Sequence, residues 1–138
     1  MSSFHKAYIS KKVEVSMKKT MPQEIEVWYL IPALRRELAR IFIEDYGLKQ
    51  KKAAECLGIT EAAISQYIKS KRGGEIKFSD KALKEIKKSA KEVIENNADI
   101  MKKIYELCVS LRKSKAMCDF HRLQDKRISK SCDVCLKD

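Results

Sequence analysis

Residues Leu48–Arg72 read LKQKKAAECLGITEAAISQYIKSKR, and their order predicts two short helices joined by a tight turn. Gln50 to Leu57 is the first helix, Gly58 the turn, and Thr60 the cap of a second helix reaching about Ile68. Gly58, lacking a Cβ, tolerates the left-handed backbone that ends a helix sharply. Ala53 and Ala54 are small enough for the second helix to cross the first closely. Ile59 fills the space beneath the turn, and Ile64, Tyr67 and Ile68 return at helical spacing to the same core. The Thr60 hydroxyl suits a helix N-cap, and Glu61 favours the first turn through the helix dipole.

This pattern leaves Glu61, Ala62, Ser65, Gln66 and Lys69 facing outward. Ser, Gln and Lys hydrogen-bond base edges or phosphates, so the expectation is a helix-turn-helix that docks on double-stranded DNA. An ordinary helical hairpin with a solvated polar face is the plainer alternative, but turn glycine, small alanines and apolar positions agree together. Lys49 departs from the usual pattern, because a Ser or Thr cap is expected there. Its charge disfavours a helix N-terminus and is useful near a phosphate, as is Gln50 beside it. Lys71 and Arg72, with Lys69, fall where the chain leaves the second helix through Gly73-Gly74 and suit contacts to the DNA backbone.

The run IPALRRELARIFIEDYGLKQKKAAECLGITEAAISQYIKSKRGG resembles the Cro/C1-type (xenobiotic-response-element, XRE-like) helix-turn-helix family. With the cysteine-bearing tail included, about Pro22 to Cys135, the chain is similar to a group of archaeal predicted transcriptional regulators. The resemblance implies an all-α fold, operator DNA as partner, a homodimer and a role in transcription regulation. It does not say which operator is read. The resembling regulators carry comparable tail cysteines, and several have a cysteine where this chain has Gln23, so any role of that position is absent here.

The chain has 138 residues, with 30 Lys+Arg against 19 Asp+Glu and a net charge of +11. That length means one or two small domains with a modest core. The charge suits a polyanionic partner; lysine-rich solubility, as in ion-pair networks that support thermal stability, is the other source of such a composition. The excess is concentrated, +4 each on residues 31–74 and 98–138 against +1 on residues 75–97. No apolar run is long enough to span a bilayer and no secretory h-region is present, which predicts a cytoplasmic protein. Five cysteines in that setting argue for metal or redox chemistry rather than structural disulfides.

Outward from the hairpin, residues 1–23 read as a disordered or appended segment, with Val13, Val15 and Met17 alternating but unpaired and Met17 or Met21 as alternative starts. Residues 24–78 read as the DNA-binding domain. Within it Glu24–Ile31 packs on the domain, and Pro32 opens a helix that runs to Tyr46 and ends at Gly47. Residues 79–97 read as a connecting or dimerisation helix capped by Ser79, whose stripe Leu83, Ile86, Ala90, Val93 and Ile94 is shared between core and dimer interface. Asn96-Asn97 breaks it. A further helix covers Ala98 to Lys113, with Ile100, Met101, Ile104, Leu107, Cys108 and Leu111 on its apolar side.

Residues 98–138 also hold Cys108, Cys118, His121, Cys132 and Cys135. Cys118-x-x-His121 and Cys132-x-x-Cys135 are chelating pairs, whose two-residue gap lets both side chains converge on one ion from a tight turn. The tail has few large apolar residues, so a metal-stabilised module is expected; scattered, unligated cysteines are the alternative. Cys118, His121, Cys132 and Cys135 make a Cys₃His set for zinc. Cys108 in place of His121 makes a Cys₄ set for zinc or an iron–sulfur cluster, and its position near a helix end tips the balance slightly toward it. Cys56 reads as a small buried hydrophobe. No catalytic constellation is present: His5 lies in the N-terminal segment, Gly73-Gly74 lacks a phosphate-loop pattern, and Cys132-x-x-Cys135 lacks the strand–helix context of a thiol oxidoreductase. The expected function is therefore a non-enzymatic, sequence-specific transcriptional regulator whose Cys-ligated site senses metal, iron–sulfur or redox status. A regulator or adaptor with a purely structural or protein-binding zinc module is the alternative, and a thiol redox enzyme stands behind both.

Overall fold

The computed structural model describes residues 21–69, 74 and 76–124. Residues 1–20, Lys71, Arg72, Cys132 and Cys135 lie outside the described residues, whereas Pro22 and Gln23, read from sequence as the end of an appended segment, belong to the first helix. All regular structure among the described residues is helical, as an all-α reading requires. The elements are α1 (Pro22–Ile25), α2 (Ile31–Arg40), α3 (Gln50–Leu57), α4 (Glu61–Lys69), α5 (Asp80–Asn96), α6 (Ile100–Arg112) and α7 (Lys115–Gln124). Two π-helical turns, Glu26–Leu30 and Ile41–Asp45, follow α1 and α2.

The first correction is at Pro32. Sequence places a helix start there, yet the helical run begins at Pro22 and passes through Pro32 without a break. Proline has no N–H, and in an α-helix its ring collides with the carbonyl four residues earlier. The preceding turn is widened instead, with the Ile31 N–H donating to the Glu26 carbonyl five residues back. A π turn of this kind absorbs the proline while the helix axis continues. The second π turn leads to Gly47, whose φ of +66° ends the run as expected.

The hairpin helices form where the sequence puts them. At the end of α3 the Gly58 N–H donates to the Glu55 carbonyl at 3.2 Å and the Ile59 N–H to the Ala54 carbonyl at 3.0 Å. With Gly58 at φ +68°, these two bonds make a Schellman ending, which closes orphan carbonyls and turns the chain at once. Thr60 Oγ1 then accepts from the Ala63 N–H at 3.1 Å, the N-cap that the sequence implies. Lys49 precedes α3 with no side-chain cap.

One hydrophobic cluster runs from Ile25 to Met117, so segments 24–78, 79–97 and the first part of 98–138 share a core. Helix α2 is its centre, with Leu34, Leu38, Ala39 and Phe42 of the same run at 0–1 % exposure, and it packs against α3, α4, α5 and α6. Ser79 caps α5 by accepting from the Ala82 N–H, and Asn97, at φ +53°, ends it in the left-handed region. The α5 stripe meets the core over most of its length. Ile86, Ala90 and Val93 are buried, and Leu83 and Ile94 are half-buried against the same cluster, which leaves part of those two side chains at the surface. Ile68, expected in the core, is 37 % exposed at the end of α4.

The C-terminal part also departs from expectation. Beyond Lys113 the sequence suggests no further helix, yet α7 follows directly. Ser114 makes the corner, donating its hydroxyl to the Leu111 carbonyl at 2.7 Å and accepting from the Met117 N–H at 3.3 Å. Helix α7 packs back onto α6, and Phe120 meets Tyr29 of the first π turn edge to face at 5.1 Å. No helix of the described residues is long and apolar enough to cross a membrane.

Candidate nucleic-acid face and C-terminal donors

Helix α4 presents two unlike faces. Ile64 and Tyr67 are buried at 0 % and 2 % and fix the helix across α3. The opposite face exposes Thr60, Glu61, Ala62, Gln66 and Lys69, while Ser65 is half-buried at its edge. Lys49 is exposed and Gln50 half-buried at the start of α3. A rigid floor and an outward row of Ala, Gln and Lys is an arrangement that lets a helix enter a groove and present short polar groups to base edges.

The candidate metal donors separate into groups. Cys118 and His121 stand one turn apart on α7, so they share a face, and both are buried against the body of the protein. They lie on a helix rather than on the tight turn their spacing suggests. His121 lines a crevice with Pro22, Ile25, Glu26, Arg112 and Met117. Cys108, on α6, is buried in the wall of a different cavity, beside Arg35 and Tyr105. Among the described residues no group of three His, Cys, Asp or Glu side chains is placed to hold a metal ion. Cys108 therefore does not join Cys118 and His121 in one cluster. Cys56, read as a small buried hydrophobe, is only half-buried, packed on the core edge.

The Glu26–Arg112 pair lines both cavities. Arg112 Nε donates to Glu26 Oε1 and Nη2 to Oε2, a two-pronged contact that joins the first π turn to the end of α6. It holds the Arg112 guanidinium above its ordinary range, against the opposing effect of burial. Burial pushes the Cys108 thiol up to about 11; the Glu26 carboxylate adds to the rise and Arg112 and Arg35 oppose it. Lys103 and Glu92 form a second cross-link, between α6 and α5, whose hydrogen bond lowers the carboxyl and raises the amine.

Sequence reasoning missed the part played by Glu26, Tyr29 and Arg35. None belongs to a motif, and what brings Glu26 and Tyr29 to the C-terminal helices is the π turn at Pro32. The only available signal was a proline inside an otherwise continuous helical pattern. No protein-family model matches the chain, and neither the curated proteins nor the solved structures contain a significant match.

Proposed function

We propose that this chain is a sequence-specific DNA-binding regulator of transcription that reads a duplex with α4 of a helix-turn-helix. The observation that carries the reading is the α3–α4 hairpin: a Schellman-ended first helix, a capped second helix anchored by Ile64 and Tyr67, and Ala62, Gln66 and Lys69 outward. Gln66 and Ala62 face bases, with Ser65 at the edge; Lys49, Gln50 and Lys69 serve the phosphates, joined by Lys71 and Arg72. One short helix reads few base pairs, so two copies bind a two-fold symmetric operator with half-sites about 34 Å apart. The half-exposed Leu83 and Ile94 of α5 are the candidate surface that joins the two copies. Selection from a random duplex library tests the reading. An enriched, two-fold symmetric sequence is expected, and a pool that stays random at low salt counts against it.

The C-terminal proposal follows from the placement of the donors. Cys118 and His121, held together on one face of α7, form half of a tetrahedral Cys₃His zinc site that Cys132 and Cys135 complete. This set is favoured over the Cys₄ alternative because Cys108 faces a different cavity. Met117 and Phe120 dock α7 by apolar contact, so the two donors are positioned before an ion arrives. The ion supplies a tie between the chain's end and the body, and through α7 and α6 its state reaches the reading head. Zinc content after anaerobic purification checks the ligand set: His121→Ala lowers it and Cys108→Ser does not. The reverse pattern selects a Cys₄ zinc site, and a coloured protein that Cys108→Ser bleaches selects a Cys₄ iron–sulfur cluster.

A further inference from the structure

The cavity between the first π turn, α2 and α6 has no part in the reading above. It holds about 400 Å³, within the range of small-molecule sites. One side is apolar. Ile31 and Ile104 are half-buried there, while Met101 and Tyr105 are 77 % and 65 % exposed. Met101 was expected on the packed side of its helix, and its exposure leaves a large apolar side chain at the cavity rim.

The polar side is cationic. Arg35, Arg112 and Glu26 line it, and they sum to one positive charge. Arg112 is engaged by Glu26 through both prongs. Arg35 is different: its Nε is shielded from solvent and has no hydrogen-bond partner among the described residues. That atom is as closed to a ligand as it is to water, but no carboxylate pairs with Arg35 among the described residues, so its guanidinium brings an uncompensated positive charge to the lining. A carboxylate matches the guanidinium fork with two oxygens, and the apolar side fits a hydrocarbon or aromatic body.

We propose that this cavity binds a small organic acid, its carboxylate on Arg35 and its apolar body along Ile31, Met101, Ile104 and Tyr105. The site also bears on the hairpin. Leu57 and Gly58, the end of α3 and its turn, form part of the same lining. A ligand seated there presses on the residues that set the angle between α3 and α4. Resting on the DNA-binding reading, occupancy then changes operator affinity, because a recognition helix tolerates little displacement in the groove.

The site is tested on the full chain by NMR titration, with octanoate as probe and 1-octanol and octylamine as neutral and cationic controls of equal length. Octanoate is expected to saturate, shifting the Met101 and Ile104 methyl signals, at least about tenfold more tightly than octanol. Octylamine is expected not to bind. Arg35→Met should erase the preference for the acid. Met101→Glu, at an exposed position, should weaken octanoate by charge repulsion, and it serves if Arg35→Met fails to fold. Equal binding of octanoate and octanol, an acid preference that survives Arg35→Met, or no saturable shift at millimolar octanoate would overturn the site. Operator affinity with and without saturating octanoate reads the coupling separately. Unchanged affinity overturns the regulatory step, whereas a chain that selects no duplex at all bears on the DNA reading and leaves the titration result standing.

Discussion

At Gly58 a methyl group would meet no atom within 4 Å; what the position requires is its φ of +68°. Gly58→Ala should therefore destabilise through backbone strain alone, by about 1 kcal/mol, and Gly58→Asn by less, since asparagine visits the left-handed region more readily. Urea midpoints of the two variants check this, and equal losses would mean that the turn depends on something besides φ. Cys108 gives a pH prediction. Its thiol, ordinarily near 9.0, is held up to about 11, so folding favours the protonated form. The stability tied to it is fully present below about pH 9 and is lost as pH rises through 11, because the unfolded chain binds fewer protons in that window. Cys108→Ala should flatten that part of the stability profile, and an unchanged slope would assign it to other groups. Gly58, Thr60 and Ile64 were legible in sequence because each acts over one turn of chain. Ile68 and Met101 were not: periodicity marks the face of a helix that tends inward, but a neighbour decides where cover stops.

At the scale of elements, α5 and the Pro32 turn separate what sequence patterning conveys from what it leaves out. The α5 boundaries were readable from Ser79 and Asn97, and its stripe from spacing. How much of the stripe its own chain covers depends on α2, which no local pattern encodes. Since Ile86 is fully buried against the core, Ile86→Ala should cost about 2–5 kcal/mol and leave the association state of the folded fraction unchanged. Calorimetry and sedimentation together check both halves; a mild loss of stability with loss of self-association would put Ile86 in an interface between copies. Helix α7 went unseen because its residues are few, polar and cysteine-bearing, and its amphipathic face gains meaning only beside Ile25, Tyr29 and α6. The edge-to-face pair of Tyr29 and Phe120 should show a coupling of about 0.5–1.5 kcal/mol in a double-mutant cycle. Phe120→Ala should also speed amide exchange across residues 115–124 while leaving α2 protected. Uniform exchange changes in both would mean that α7 is no separate docking unit.

Over the whole molecule, a continuous core joins the hairpin at one place to α6 and α7 at another, with α2 packed against both the hairpin and α6. The polar face of α4 was readable from sequence because it is the complement of a strongly patterned core. The donor arrangement was only half readable, since spacing pairs Cys118 with His121 but cannot say that Cys108 faces a separate cavity. The central claim is that α4 reads base sequence while its basic neighbours bind the backbone. Its most direct measurement is the affinity of wild type, Gln66→Ala and Lys69→Ala for the selected duplex and a scrambled one across a salt series. Gln66→Ala should lose about 1–3 kcal/mol on the selected duplex and almost nothing on the scrambled one. Lys69→Ala should weaken both alike and reduce the salt slope by about one. Equal, sequence-independent losses for the two variants, or no loss for either, would contradict the account.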